Sequence, residues 1–267
     1  MASIDTYVGI PELTVSLDDG VLSVTLNRPD SLNALTAPML RTLADTLDRA
    51  ADDPHVRVVR LGGAGRGFSS GADIGADSRP AALTTEDDVL TEANRTVRVI
   101  TSLPKPVVAV VHGPTAGVGV SLALACDVVL ASEKAFFLLA FTKIGLMPDG
   151  GASALVAAAV GRIRAMRMAL LAERISAAEA YEFGLVSALY PPEELDAGVA
   201  KVIETLASGP AVALRKTKQA INAATLTELD DAIGRESDGQ LILLASKDFH
   251  EGTKAFQEHR SPSFTDS

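Results

Sequence analysis

Cysteine is nearly absent from this chain, and so is any surplus of positive charge. Cys126 is the only cysteine, which excludes an internal disulfide and a CxxC zinc site. Lysine and arginine number 24 against 34 aspartates and glutamates, a formal charge of −10. With no basic excess to neutralise phosphates, nonspecific binding to nucleic acid or to an anionic membrane is excluded, and any anionic ligand must be held by local features. No uninterrupted apolar run suits a membrane span: the greasiest stretch, from Val107 to Leu130, is broken by His112, Pro114, three glycines and Asp127. The first residues show no basic segment followed by an apolar one, so a cytoplasmic location is expected. What remains is an ordinary globular composition, 47% hydrophobic over 267 residues, enough for one large core with an appended subdomain.

That broken apolar stretch organises the rest. It predicts a strand buried on both faces over Val107 to Val111, a tight loop from Gly113 to Gly117, a buried helix from Val118 to Ala125, and a further strand over Val128 to Ala131 after Asp127. Strand, glycine loop and helix N-terminus in succession aim backbone N–H groups and the positive end of a helix dipole at one point, the geometry of an anion site. Upstream, Leu13 to Leu17 and Val21 to Leu26 alternate around Asp18-Asp19-Gly20 as a hairpin does. A loop through Asn33-Ala34-Leu35 leads to Thr36, a helix cap, and to an amphipathic helix whose Leu40, Leu43, Leu47 and Ala50 share one face. A strand over Val56 to Leu61 runs into GGAGRGFSSGADI, Gly62 to Ile74. That loop lacks the lysine of a phosphate-binding Walker loop, and neither it nor Gly117-Val118-Gly119 completes the GxGxxG dinucleotide pattern.

The polar stretch from Gly75 to about Asn94 reads either as a lid over a pocket or as a solvated helix start capped by Thr84 or Thr85, with the helix continuing to Leu103. Asp149, ahead of two glycines and a small-residue helix over Ala152 to Val160, reads locally as a turn or cap residue. A further helix is expected from Ala165 to Ala172, a capping box at Ser176 to Glu179, and a short strand from Gly184. From Glu194 onward only helical patterns follow, which places a boundary near residues 195 to 210. His112 reads as a packed core histidine, and His55, His250 and His259 as surface residues.

Five segments in order, VTLNRPDSLNAL, RVVRLGGAGRGFSSGADI, KPVVAVVHGPTAGVGVSLALACD, IGLMPDGGAS and RISAAEAYEFGLV, followed by DFHEGTKAFQEHRSPSF, resemble the enoyl-CoA hydratase/isomerase or crotonase family. The resemblance implies an α/β fold, a spiral of ββα turns over residues 1–200 with a helical trimerisation segment over 201–267, assembled as a homotrimer or a dimer of trimers. It implies an acyl-CoA thioester as substrate, with CoA part of the substrate and no separate cofactor or metal. The family's two enolate-binding amides correspond to Ala72 and Val118, with substrate contacts expected from Arg28, Ala34, Leu35, Gly71, Asp73, Ile74, Gly117 and Lys254. Arg28, Arg66 and Lys254 are candidates for the CoA phosphates, Lys254 for those of a neighbouring subunit. Asp73 reads as a turn cap. Val118 stands where the family usually has glycine, and a β-branched residue is poorly suited to positive φ.

The two glutamates with which hydratases of this family activate water correspond to Ser121 and Phe141, neither of which is a carboxylate. Ser121 lacks a nucleophile-elbow context and reads as structural. Asp149 matches the acid/base position of the family's double-bond isomerases. The expected activity is therefore a 3-enoyl-CoA to 2-enoyl-CoA shift through a thioester enolate. The alternatives are a ring-type CoA ester isomerase, a hydratase-like lyase, and a non-catalytic acyl-CoA-binding paralogue.

Overall fold

The computed structural model describes residues 7–74 and 89–266. The hairpin forms as expected: β1 (Leu13–Asp18) pairs antiparallel with β2 (Val21–Leu26), closed by Asp19 and Gly20, both at positive φ. Helix α1 (Ala37–Asp52) is capped by Thr36, whose hydroxyl accepts from the Met39 amide at 3.4 Å, and it buries Leu40, Leu43, Leu47 and Ala50. After β3 (Val58–Gly63), helix α2 is described from Val89 to Ser102. The expected lid or capped helix start over 75–88 lies outside the described residues.

Strand β4 (Val107–Val111) is buried at every position, as its unbroken apolar sequence predicts. The next segment departs from expectation. Pro114–Ala116 is not only loop but a three-residue strand, β5, too short for any periodicity to reveal. Helix α3 (Val118–Ala125) follows with the predicted limits, then β6 (Val128–Ser132) and β7 (Phe136–Leu138). Helix α4 (Ala152–Val160) also matches, and α5 (Arg162–Leu171) begins three residues earlier than its apolar pattern suggests, because the single Gly161 both ends α4 and opens α5. Strand β8 (Ile175–Ser176) leads into the capping box of α6 (Ala177–Phe183), where the Ser176 hydroxyl and Glu179 carboxylate exchange backbone amides. The strand expected from Gly184 forms later, as β9 (Ala188–Tyr190). The remainder is helical: α7 (Leu195–Ser208), α8 (Ala211–Thr225), α9 (Leu229–Leu244) and α10 (Lys247–Gln257).

Among the described residues the strands form two sheets. The larger runs β1-β2-β3-β4-β6-β9, parallel beyond the first pair, and the smaller runs β5-β7-β8. The chain passes from β4 to β5 and from β6 to β7, one strand in each sheet per turn, which is the expected ββα spiral. Alternation along β4 sorts the core into two layers: Val107, Ala109 and Val111 join the main cluster with α1, α2 and α3, whereas Val108 and Val110 pack under Leu195, Val199 and Ile203 of α7. Among the described residues no single helix is long and apolar enough to cross a membrane.

Candidate active site

Two loops that are far apart in sequence meet at the start of α3. Asn33, fully buried, is the hub of the first: its side-chain oxygen accepts from the Arg28 amide at 2.8 Å, and its amide nitrogen donates to the carbonyls of Ala64 and Gly67 at 2.9 and 2.8 Å. The sequence shows Asn33 as a loop residue without revealing this part; the positive φ that asparagine tolerates, here 56°, is the available signal. Ala34 and Leu35 are both buried beside it. Leu35 donates to the Gly71 carbonyl at 2.8 Å and accepts from the Asp73 amide at 2.9 Å, so Ala72 lies between two bonds made by its neighbours.

The second loop runs alongside. Ser69 pairs in parallel with Thr115, and the Ala116 amide donates to the Ser69 carbonyl at 2.8 Å. The bridge brings Gly71 against Ala116 and Gly117, the residues just before α3. The crossing is tight: a Cβ on Gly71 would lie 2.9 Å from the Ala116 carbonyl oxygen, and one on Gly117 would lie 3.5 Å from the Gly71 Cα. Only glycine fits at 71. The amides of Ala72 and Val118 have no hydrogen-bond acceptor among the described residues. Val118 is the first residue of α3, where an amide has no partner within its own helix.

The concern over Val118 is removed by where the strain falls. Gly117, the helix cap, takes the positive φ of 52°, and Val118 is an ordinary helical residue buried to 2% exposure. A β-branched side chain costs little there, because the unusual dihedrals belong to the residue before it.

Asp149 also reaches the first turn of this helix. Its carbonyl accepts from the Ser121 hydroxyl at 2.8 Å, and a Cβ on the next residue, Gly150, would lie 3.1 Å from the Ser121 Cβ and 3.9 Å from a Val118 methyl. The Asp149 carboxylate, 7% exposed, accepts from the Gln240 side-chain amide at 2.6 Å. Glu236, one turn earlier on α9, accepts from the amides of Gly151 and Ser153 at 2.7 and 2.8 Å. Burial nevertheless holds Glu236 above the ordinary carboxylate range, against the lowering effect of those bonds. Phe141, 6% exposed, turns its ring tip toward Gly117, within 3.8 Å of where a Cβ there would lie.

The remaining expected residues divide. Arg28 donates to the Asp73 carboxylate at 2.8 Å and to the Ala34 carbonyl at 2.7 Å, so the two loops are tied by an ion pair and Asp73 answers Arg28. Ile74 is half-buried next to them. Lys254 lies apart on the exposed side of α10, 4.0 Å from Glu258, and Arg66 is exposed. His112 is half-exposed rather than packed in the core, its Nε2 3.0 Å from the Gly65 carbonyl, because the strand ends one residue before it; His55, His250 and His259 are on the surface as expected.

Residues 16–267 match the family model described as enoyl-CoA hydratase/isomerase. The chain is 39% identical to the 1,2-epoxyphenylacetyl-CoA isomerase of Escherichia coli (strain K12), covering 93% of this chain and 96% of that one. It is 40% identical to a probable enoyl-CoA hydratase of Rhodobacter capsulatus, over 93% and 96% of the two chains. A crystal structure of an enoyl-CoA hydratase from Mycobacterium avium subsp. paratuberculosis K-10 superposes with a TM-score of 0.90 at 66% identity, over 97% of this chain and 100% of that one. With its crotonase fold, the chain belongs to the enoyl-CoA hydratase/isomerase family.

Proposed function

We propose that this family member is an acyl-CoA double-bond isomerase with Asp149 as its acid/base. The Asp149 carboxylate takes a proton from C2 of a 3-enoyl-CoA. The C–H electrons pass toward the thioester carbonyl, giving an enolate whose oxygen is held by the amides of Ala72 and Val118. Protonated Asp149 then returns the proton at C4, and the double bond moves to C2–C3. Each donor to the enolate oxygen is worth about 2.7–4 kcal/mol in sites of this kind. One base suffices for both transfers.

The observation that carries this reading is what stands at positions 121 and 141. Ser121 spends its hydroxyl on the Asp149 carbonyl and packs against Gly150, so a longer carboxylate at 121 would displace the very loop that brings Asp149 in. Phe141 sets an apolar ring beside Gly117 where a second acid would be needed to add water. Glu236, the neighbouring carboxylate from α9, is occupied by two backbone amides, which supports Asp149 rather than Glu236 as the acid/base.

A ring-type CoA ester isomerase is the second reading, favoured by the name of the 39%-identical relative from E. coli. The same Asp149 serves both, and relative kcat/KM on ring and chain thioesters separates them. The exposed cations Arg66 and Lys254 are available to CoA phosphates, Lys254 in a neighbouring copy. The apolar side chains that 201–267 leave exposed, Val212, Ile221, Ile242 and Phe256, support assembly as a trimer or pair of trimers, which sedimentation measures directly. The deciding assay sets 3-enoyl-CoA isomerisation beside 2-enoyl-CoA hydration for the parent and Asp149→Asn. Isomerisation lost in the variant is the expected result. Full turnover by Asp149→Asn, or robust hydration by the parent, overturns the reading, and CoA-ester binding without either reaction identifies a binding paralogue.

A further inference from the structure

We propose that Gln240 is a positioning residue for Asp149, fixing the orientation of its carboxylate and favouring its ionised form. This rests on the assignment of Asp149 as the acid/base. Gln240 lies on α9 and is 1% exposed. Its Oε1 accepts from the Met147 amide at 3.2 Å, and its Nε2 donates both to the Met147 carbonyl at 3.0 Å and to Asp149 Oδ2 at 2.6 Å. Those three bonds use both amide protons and the carbonyl. The other amide orientation would set Nε2 against the Met147 N–H and Oε1 against both the Met147 carbonyl and the carboxylate. The backbone two residues before Asp149 therefore dictates that Gln240 presents a donor, not an acceptor, to Asp149.

The Gln240 bond bears on the charge of the carboxylate as well as on its orientation. An N–H bond to the carboxylate favours the charged form, so removing it should raise the pH at which Asp149 takes up a proton. Glu236, at the preceding turn of the same helix face, fixes the far side of the loop through Gly151 and Ser153, so α9 clamps residues 147–153 from both sides of Asp149. It is also the titratable group that α9 brings to the loop; α3 and α4, packed against the same loop, carry no charged residue.

The test compares Gln240→Leu and Gln240→Glu with the parent and with Asp149→Asn. For Gln240→Leu the expected result is kcat lowered about tenfold or more with KM within about twofold, because position rather than binding is lost. The acid limb of the kcat/KM profile should move up by about one pH unit, and further in Gln240→Glu, where the replacement puts a like charge beside the base. The Asp149 carboxyl, assigned by its absence in Asp149→Asn, is titrated by 13C NMR in each folded variant and should move up in step. If both variants melt earlier but the NMR titration and pH limb superimpose on the parent, Gln240 is merely structural and the proposal falls while Asp149 stands. If Asp149→Asn retains turnover, the assignment of Asp149 falls first, and the NMR titration still decides whether Gln240 sets its ionisation. Should Gln240→Leu fail to fold, Gln240→Glu, which keeps an acceptor for the Met147 amide, gives the same readouts.

Discussion

The two ends of α3 each have an aspartate close by, and the two are used differently. At the C-terminal end, Asp127 accepts from the Val107 amide at 2.7 Å and faces Lys218 at 2.9 Å. Lys218 also donates to the carbonyls of Ile100 and Lys105, so one ammonium joins α8 to α2 and to the approach of β4. At the N-terminal end the Ala72 and Val118 amides have no acceptor among the described residues, and one oxygen of Asp149 accepts from the side-chain amide of Gln240. One end of the helix is closed by an ion pair that ties three elements together; the other carries two backbone amides without an acceptor among the described residues. Eight helical residues, Val118 to Ala125, separate the two arrangements.

The sharpest break of that contrast is to exchange the effects of the two aspartates. Asp149→Asn should lower isomerisation by about 10²–10⁴-fold with little change in the urea midpoint. Asp127→Asn or Lys218→Met should do the reverse, costing about 2 kcal/mol of unfolding free energy with kcat within about twofold. Stability lost in the first and activity lost in the second would abolish the distinction. Gly117→Ala tests the open end more finely: at φ 52° the added methyl should cost about 1–2 kcal/mol by chemical denaturation, and kcat should fall more than KM rises because the Val118 donor turns.

The smallest effect concerns Glu236. Burial raises its pKa above the ordinary value of 4.5. A carboxyl raised in the folded state contributes stability that is fully present below its unfolded pKa and is lost as pH rises through the folded one. Relative to Glu236→Gln, the parent should therefore be more stable at about pH 4 than at about pH 7, as read from urea titrations at both. An opposite slope would mean that the Gly151 and Ser153 amides outweigh burial.

Much of the open end was legible in the sequence, and for local reasons. An unbroken apolar run, glycines and a second apolar run determine β4, the Gly117 turn and α3 without outside help. Family resemblance pointed to positions 121, 141 and 149, and the structure brings all three to the first turns of α3. What stayed hidden depends on partners distant along the chain. Gln240 and Glu236 look like surface residues in RESDGQ, and only the 147–153 loop packing against α9 buries them. The strain at Val118 was misplaced because residue type alone does not say which of two neighbours takes the positive φ. Strand β5 was missed because its three residues pair with β7 in a separate sheet.

The clamp from α9 also sets an order of events during synthesis. Residues 147–153 are completed long before Glu236 and Gln240, which bond to them across 83 to 93 positions of chain. At typical translation rates of 5–20 residues per second, about 4–19 s pass between the emergence of the Asp149 loop and that of its clamp. Through that interval the Asp149 carboxylate lacks the Gln240 amide. The 147–153 loop thus takes its bonds from Glu236 and Gln240 only once α9 has been made.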